Sequence, residues 1–496
     1  MQAHGRGRRQ DHGGEPTLSA LLGVLVALTA LRIALLAASP LDLFVDEAQY
    51  WLWSTTPGFG YYSKPPVIAW VIALTTALAG DGEWGVRLAS PLLHGGTAGF
   101  IFLAGWALYG PRVGVGAALL YASLPAVSFS SFLISTDVPL LWCWSAALYA
   151  LIQAEQRGGL WWPALGVVLG FGLLSKYAMA FFLVGWLGHV LSSRRRPGRG
   201  EALALAVAAA VYAPNLAWNI AHDFVSYRHT SDNAGLSAAH THPLRMLGFI
   251  ASQAALLGPG AFLGLGAALA TTSLRDDNPA GLLAWLTWPP LLFYAGLALV
   301  AGANANWAVT AHVAGVILAA RWLMTRPWRG LLLATLLCNA LLGALLAYGI
   351  LRWGGDQAHF PLRADPLRRL RGWETLGLQV AEWRRIVPAA CLLTTDRSTA
   401  AALAYYARPR PAPVVKWHPP GPIRDHFDLT ADLAHTPCTT WLLIADPART
   451  APIRASFAHG ESLGPVRRPQ GGGREAVYGV YRLQGFTGYP TPSVPP

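Results

Sequence analysis

Residues 18–51 read LSALLGVLVALTALRIALLAASPLDLFVDEAQYW, and the change of character inside this stretch decides the fold. From Leu18 to Ala38 the chain is almost wholly apolar. About 20 such residues span a bilayer as a helix, whereas a secretion signal carries an apolar region of only about 7–15. The run behind Arg6, Arg8 and Arg9 therefore predicts an uncleaved first transmembrane helix. Directly beyond it stand Asp46-Glu47-Ala48-Gln49-Tyr50-Trp51 and then Gly60-Tyr61-Tyr62-Ser63-Lys64-Pro65-Pro66. Two adjacent carboxylates, a lysine and several aromatics thus follow a membrane exit within one loop.

The rest of the chain repeats the first half of that pattern. Apolar runs recur near 86–108, 112–131, 138–154, 161–174, 177–192, 201–218, 246–271, 280–301, 306–324 and 330–350. With the first they make about eleven spans, in a mostly α polytopic fold of about 11–13 transmembrane helices. A chain of 496 residues with 53% hydrophobic and 12% charged side chains is not an ordinary soluble globule, for which about a quarter charged is usual. The net charge of +12 does not indicate nucleic acid, because Lys and Arg are scattered through short connectors without a continuous basic face.

Those charges set topology instead. The N-terminal arginines, Arg112, Arg157, Arg194-Arg195-Arg196 with Arg199, Arg275, and Arg326 with Arg329 all fall on the cytoplasmic side if the spans alternate strictly. Alternation holds only if Val67 to Ala79 starts and finishes outside, as a juxtamembrane helix at the outer interface. It then places outside the connectors Asp42 to Trp84, Ser135 to Pro139, Asn219 to Arg245 and Gly302 to Asn306, with the turn Ser175-Lys176. An inner membrane protein with extracytoplasmic chemistry is expected.

After Leu351 charges, Pro and Gly rise, and alternating segments at Ala390 to Thr395, Pro413 to Trp417, Thr440 to Ala445 and Val477 to Leu483 read as strands. Helical patterns at Leu376 to Arg385 and Thr399 to Ala407 separate the first of them. The expected organisation is a cytoplasmic segment 1–17, a transmembrane unit 18–352 with its first outer loop at 40–85, a periplasmic α/β unit 353–484 and a disordered Pro-rich tail 485–496. Cys391 and Cys438 each open a strand-like segment. A disulfide between them is allowed outside the cytoplasm, but sequence does not show whether the side chains meet.

Five features carry chemistry. Asp46 is the candidate general base, able to take a proton from a hydroxyl within about 3 Å, with Glu47 beside it. Lys64 is a cation able to stabilise a departing phosphate. Both carboxylates would equally serve as helix caps; Tyr61 and Tyr62 are candidate substrate contacts or, with Trp70, an interfacial aromatic belt. Asp137, in Ser135-Thr136-Asp137-Val138-Pro139, suits sugar hydroxyls or an N-cap. Lys176 interrupts an apolar stretch from Trp161 to Leu191; it is assigned to a lipid phosphate against the alternative of snorkelling, which is the better account of Arg32. Arg228 offers a planar fork for phosphate oxygens, and His222 a substrate contact, in a loop that would otherwise be a solvated connector. His222 and His229, seven residues apart, do not have metal-pair spacing. Asn306 and Trp307 offer an amide and an indole to sugar hydroxyls, or to capping and anchoring.

Taken in order, Asp46 to Trp53, Gly60 to Trp70, Gly85-Val86-Arg87, Thr136 to Leu140, Leu174 to Tyr177, Trp218 to Asp223, Ala305-Asn306-Trp307 and Arg371-Gly372-Trp373 resemble the bacterial family-39 glycosyltransferases. These are related to the dolichyl-phosphate-mannose protein mannosyltransferases and the lipid A aminoarabinose transferase. The resemblance implies the GT-C fold, an undecaprenyl-phosphate or similar polyprenyl-phosphate sugar donor, inversion at the anomeric carbon, and a lipid, glycan or protein acceptor. It also implies that Asp46 is the catalytic carboxylate, with Lys64 and Lys176 near the donor phosphate and Asp137 as a further acidic position; Arg228 matches more loosely. Ser63 stands where the aminoarabinose branch has an acidic residue before the lysine, which argues against a bound divalent metal and against aminoarabinose as the sugar. No cofactor is required. A lipid-linked-sugar flippase would place ionisable groups near the midplane and show related halves, neither of which is seen here. The remaining alternative is a non-catalytic scaffold that binds envelope partners through the C-terminal unit.

Overall fold

The computed structural model describes residues 18–235, 241–275, 277–325, 330–360 and 365–490. The N-terminal arginines, Arg326, Arg329 and the chain from 491 lie outside the described residues. The first seven helices are α1 (Leu18–Ala37), α2 (Val45–Ser54), α3 (Val67–Ala79), α4 (Glu83–Arg87), α5 (Ala89–Tyr109), α6 (Pro111–Ser123) and α7 (Pro125–Ser130). Then come α8 (Asp137–Arg157), α9 (Trp161–Ser175), α10 (Ala180–Ser192), α11 (Arg199–Ala221), α12 (Val225–Asn233), α13 (Pro243–Leu257), α14 (Pro259–Thr271), α15 (Pro279–Val300), α16 (Thr310–Thr325) and α17 (Leu331–Trp353).

Among these, α1, α4 with α5, α11, α15 and α17 are long and apolar enough to cross a membrane by length and composition. Their outer faces bear it out: Val26 of α1, Leu292 of α15 and Leu337 of α17 are each more than 60% exposed, a surface suited to lipid rather than water. Shorter helices such as α9, α10 and α16 fill the bundle between them. Helix α9 lies tight on α11 because a Cβ on Gly166 would overlap the Ala204 carbonyl, so only a small residue permits that approach.

Two of the expected spans are broken. The run 112–131 is divided by Pro125 into α6 and α7, and the run 246–271 by Gly258-Pro259 into α13 and α14, bent by 115°. Together α13 and α14 still travel from one end of α15 toward the other. His242 N donates to the Leu299 carbonyl at 2.7 Å, and Leu274 O accepts from Trp285 Nε1 at 3.0 Å. Asn339 of α17 donates to the Leu257 carbonyl that the break leaves free, at 3.0 Å. Arg32 does not snorkel outward: it is buried and donates to the Ala122 carbonyl near the end of α6.

The C-terminal unit comprises α18 (Trp373–Ile386), β1 (Cys391–Thr394), α19 (Arg397–Tyr406), β2 (Val414–Lys416), α20 (His426–Thr430), β3 (Thr440–Ala445), α21 (Ala451–Arg454), β4 (Phe457–Pro469) and β5 (Glu475–Phe486). The sheet order is β2-β1-β3-β5-β4, with β1 parallel to β2 and β3, and β5 antiparallel to β3 and β4. The four strands read from sequence are present. β4 was not read, because its Gly, Pro and charged residues break the alternation; as an edge strand exposed along much of one side it does not need an apolar pattern. Of the tail expected to be disordered, residues 485–490 are instead ordered. β5 runs to Phe486, and Tyr489 packs on Trp417 and Phe486 and donates to Asp432 at 2.9 Å. Cys391 and Cys438 form a disulfide with their Cα atoms 6.2 Å apart.

This unit is built onto the first loop. One apolar core holds Trp51 and Trp53 of α2, Ile68 and Ile72 of α3, and Leu392, Leu403, Leu442 and Val480 of the sheet and its helices. Tyr405 meets Trp51 edge to face at 4.8 Å. Arg410 holds the Asp81 carboxylate through two bonds of 2.8 and 2.9 Å, and Asp42 accepts from Trp373 N, at the start of α18, at 2.6 Å.

Candidate active site

Helix α2 starts where the chain leaves α1, and its first turn carries both carboxylates. Adjacent helical residues point about 100° apart, so the two separate at once. Glu47 turns inward and is 2% exposed; it accepts from Arg87 at 2.9 and 2.7 Å, from Phe44 N at 2.8 Å and from Ile134 N at 2.7 Å. Every lone-pair direction is thus used in tying α2 to α4 and to the loop before α8. Expected beside Asp46 as a catalytic group, Glu47 is instead sequestered as an anchor.

Asp46 turns the other way and stays 39% exposed, paired with Arg397 at 2.8 Å. Arg397 is the first residue of α19 and also donates to Gln49 Oε1 at 3.0 Å. Across the pocket, Asp137 opens α8. It caps nothing: its two oxygens accept from Lys176 Nζ at 2.6 Å and Asn306 Nδ2 at 2.7 Å. Lys176 sits in extended backbone between α9 and the short turn before α10, which aims its ammonium at this mouth rather than along a helix.

Lys64 feels the charge of both acidic groups. Among the described residues no carboxylate stands within salt-bridge distance of it. Burial, and then the charge of Lys176, lowers its pKa, while Asp46 and Asp137 draw it upward. Tyr62 is buried against the ring of His229, with centroids 4.9 Å apart, and burial together with the charges of Lys64 and Arg397 pushes His229 down to about 4. His229 is therefore neutral near pH 7.

The loop that presents Lys64 is held by its aromatics and amides. Tyr61 stacks on Trp53 with centroids 4.5 Å apart and donates to the Trp53 carbonyl at 3.0 Å. Asn215 donates to Phe59 O and Ser226 to Tyr61 O, each at 2.7 Å. Gly60 is pressed to Trp218 so closely that a Cβ would overlap the indole. From the C-terminal unit, His426 meets Trp53 edge to face at 5.4 Å.

Asp46, Lys64, Asp137, Lys176, Tyr62 and Asn306 are thus brought to one mouth of the bundle, from connectors that alternation had placed on a common side. The other assignments fare differently. Arg228 lies exposed on α12 with no side-chain partner among the described residues, and its neighbour His229 faces the cluster instead. His222 stacks on Trp218 at 4.0 Å and bonds its carbonyl at 2.8 Å, closing α11 rather than facing the pocket. Tyr61 supports the loop, and Trp307 packs beside Tyr294 at 5.7 Å. Sequence reasoning missed Arg397 altogether. Nothing local signals it: it follows the N-cap Asp396 at the start of an ordinary helix, 348 residues from Gln49. Among the described residues no group of three or more His, Cys, Asp or Glu is placed to hold a metal ion.

The chain is similar to known proteins in sequence and in fold. The family model described as dolichyl-phosphate-mannose-protein mannosyltransferase matches residues 63–218. The lipid A galacturonosyltransferase RgtD of Rhizobium johnstonii is 36% identical over 396 residues, covering 78% of this chain and 82% of its own. The undecaprenyl phosphate-alpha-4-amino-4-deoxy-L-arabinose arabinosyl transferase of Pseudomonas paraeruginosa is 31% identical over 206 residues, 38% of this chain and 37% of the relative. The structure of ArnT from Cupriavidus metallidurans bound to undecaprenyl phosphate superposes with a TM-score of 0.69 at 14% identity, over 93% of this chain and 98% of that one.

Proposed function

Because this chain belongs to the GT-C family of membrane glycosyltransferases, we propose that it transfers a hexuronosyl residue from undecaprenyl phosphate to a lipid acceptor of the lipid A class, with Asp46 as general base. The observation that carries this reading is the convergence of Asp46, Lys64, Lys176 and Asp137 at one mouth of an apolar bundle. The uronic sugar and the lipid A acceptor follow the relative that aligns over most of both chains, and the carrier follows the arabinosyl transferase.

The acceptor oxygen forms a bond to the anomeric carbon as the bond from that carbon to the phosphate oxygen breaks. Asp46 takes the hydroxyl proton, and the carrier phosphate leaves with the electron pair of the broken bond. Attack opposite the leaving group inverts the centre. Lys64, without an acidic partner, meets the phosphate where its charge grows, and Lys176, steered by Asp137 and Asn306, supports it from the other side. Glu47 contributes by fixing α2 through Arg87.

Two features support a site facing away from the cytoplasm. Helix α8 begins at Asp137 in the site and ends at Arg157, and Arg112, Arg194, Arg195, Arg196 and Arg199 also lie at the far ends of their helices, as cytoplasmic connectors would. The disulfide in the C-terminal unit suits an oxidising compartment. The test is incubation of purified protein with undecaprenyl phosphate galacturonate and lipid A, followed by mass spectrometry. A mass gain of one hexuronosyl residue, lost in Asp46→Asn, is expected. No product with wild type, or full activity in Asp46→Asn, overturns the reading.

A further inference from the structure

Asp46 has to face an acceptor hydroxyl, and Arg397 holds its Oδ1 at 2.8 Å. An anion brought by the donor competes with Asp46 for this guanidinium. Lys64 and Lys176 already stand ready for the single charge of the donor phosphodiester. A donor with a neutral sugar therefore leaves Arg397 on Asp46. A donor whose sugar carries its own carboxylate does not.

We propose that Arg397, delivered by the C-terminal unit, binds the carboxylate of the donated sugar and thereby releases Asp46, so that base activation and sugar selection are one event. This rests on the uronosyl reading above. A guanidinium's planar fork fits a carboxylate bidentately, which a lysine does not. Its backbone does not need to move. Asp396 caps α19 by accepting from Thr399 N at 2.9 Å, and the far end of α19 is tied down where Leu43 N donates to Tyr406 Oη at 2.6 Å and Tyr405 donates to the Asp81 carbonyl at 2.8 Å. The side chain, 37% exposed, has room to rotate about this fixed origin.

The test is a matched pair of donors, undecaprenyl phosphate galacturonate and undecaprenyl phosphate galactose, which differ only in the carboxylate. Wild type should favour the acid donor in kcat/KM by about 100-fold, the loss expected for a charged hydrogen-bonded pair. In Arg397→Ala the acid donor should lose about 100-fold more than the neutral one, closing the ratio. Arg397→Lys should fall between, and melting temperatures of the purified variants should match wild type. If Arg397→Ala slows both donors equally, the residue only positions Asp46 and the proposal is overturned while the uronosyl donor stands. If wild type itself prefers the neutral donor, the donor reading is at fault and the proposal falls with it.

Discussion

Asp46 and Glu47 are consecutive residues on one turn, each paired with an arginine, yet the two pairs serve opposite ends. Glu47 and Arg87 are 2% and 1% exposed, and both are filled with hydrogen bonds to backbone as well as to each other. Asp46 and Arg397 are 39% and 37% exposed, with oxygen left over for a substrate. The first pair joins parts of the scaffold, and the second waits at a wet mouth. The sign and type of the residues are the same in both; what separates anchor from chemistry is how much of the carboxylate remains unspoken for.

The sharpest way to break that comparison is Arg87→Ala. It leaves Glu47 charged and unpaired in the interior, which costs about 3–5 kcal/mol, and thermal unfolding in detergent should show a protein that scarcely folds. Asp46→Asn should leave the same melting curve nearly unmoved, since a half-exposed pair contributes about 0–1 kcal/mol, while kcat falls about 10²–10⁴-fold. If the two variants unfold alike, the distinction fails. Asn306→Ala removes one of the two bonds that hold Asp137 and should lower kcat/KM about 10-fold with folding intact. The smallest effect concerns pH. Burial and Lys176 lower the Lys64 pKa from the ordinary 10.5, so its charge is present below the depressed value and is lost as pH rises through it. The alkaline limb of kcat/KM should accordingly lie below 10.5, and Lys64→Arg, always charged, should move it upward.

Much of this was legible in the sequence, for a physical reason. A membrane forces long apolar runs and confines polar residues to the connectors, so topology alone sorted Asp46, Lys64, Asp137, Lys176 and Asn306 onto one side. The two broken spans carried visible signals, Leu124-Pro125 and Gly258-Pro259, at which an interior helix loses a backbone donor. What could not be read were contacts set by tertiary packing. Glu47 looked like a second catalytic acid because its partner stands 40 residues away. Arg228 looked like a phosphate clamp because a loop arginine gives no hint of the direction it faces. Arg397 belongs to a soluble-looking unit whose role depends on where its core is shared.

That shared core has an implication for how such chains diverge and how they can be recombined. Since Trp51, Trp53, Ile68 and Ile72 are packed among Leu392, Leu403, Leu442 and Val480, the interchangeable module is not contiguous. A chimera that takes only a relative's carboxyl-terminal portion would marry one parent's aromatic wedge to the other's socket. One that also takes residues 40–88 would inherit a matched wall intact. Drift in either segment should be shadowed by drift in the other, although hundreds of residues of helix lie between them.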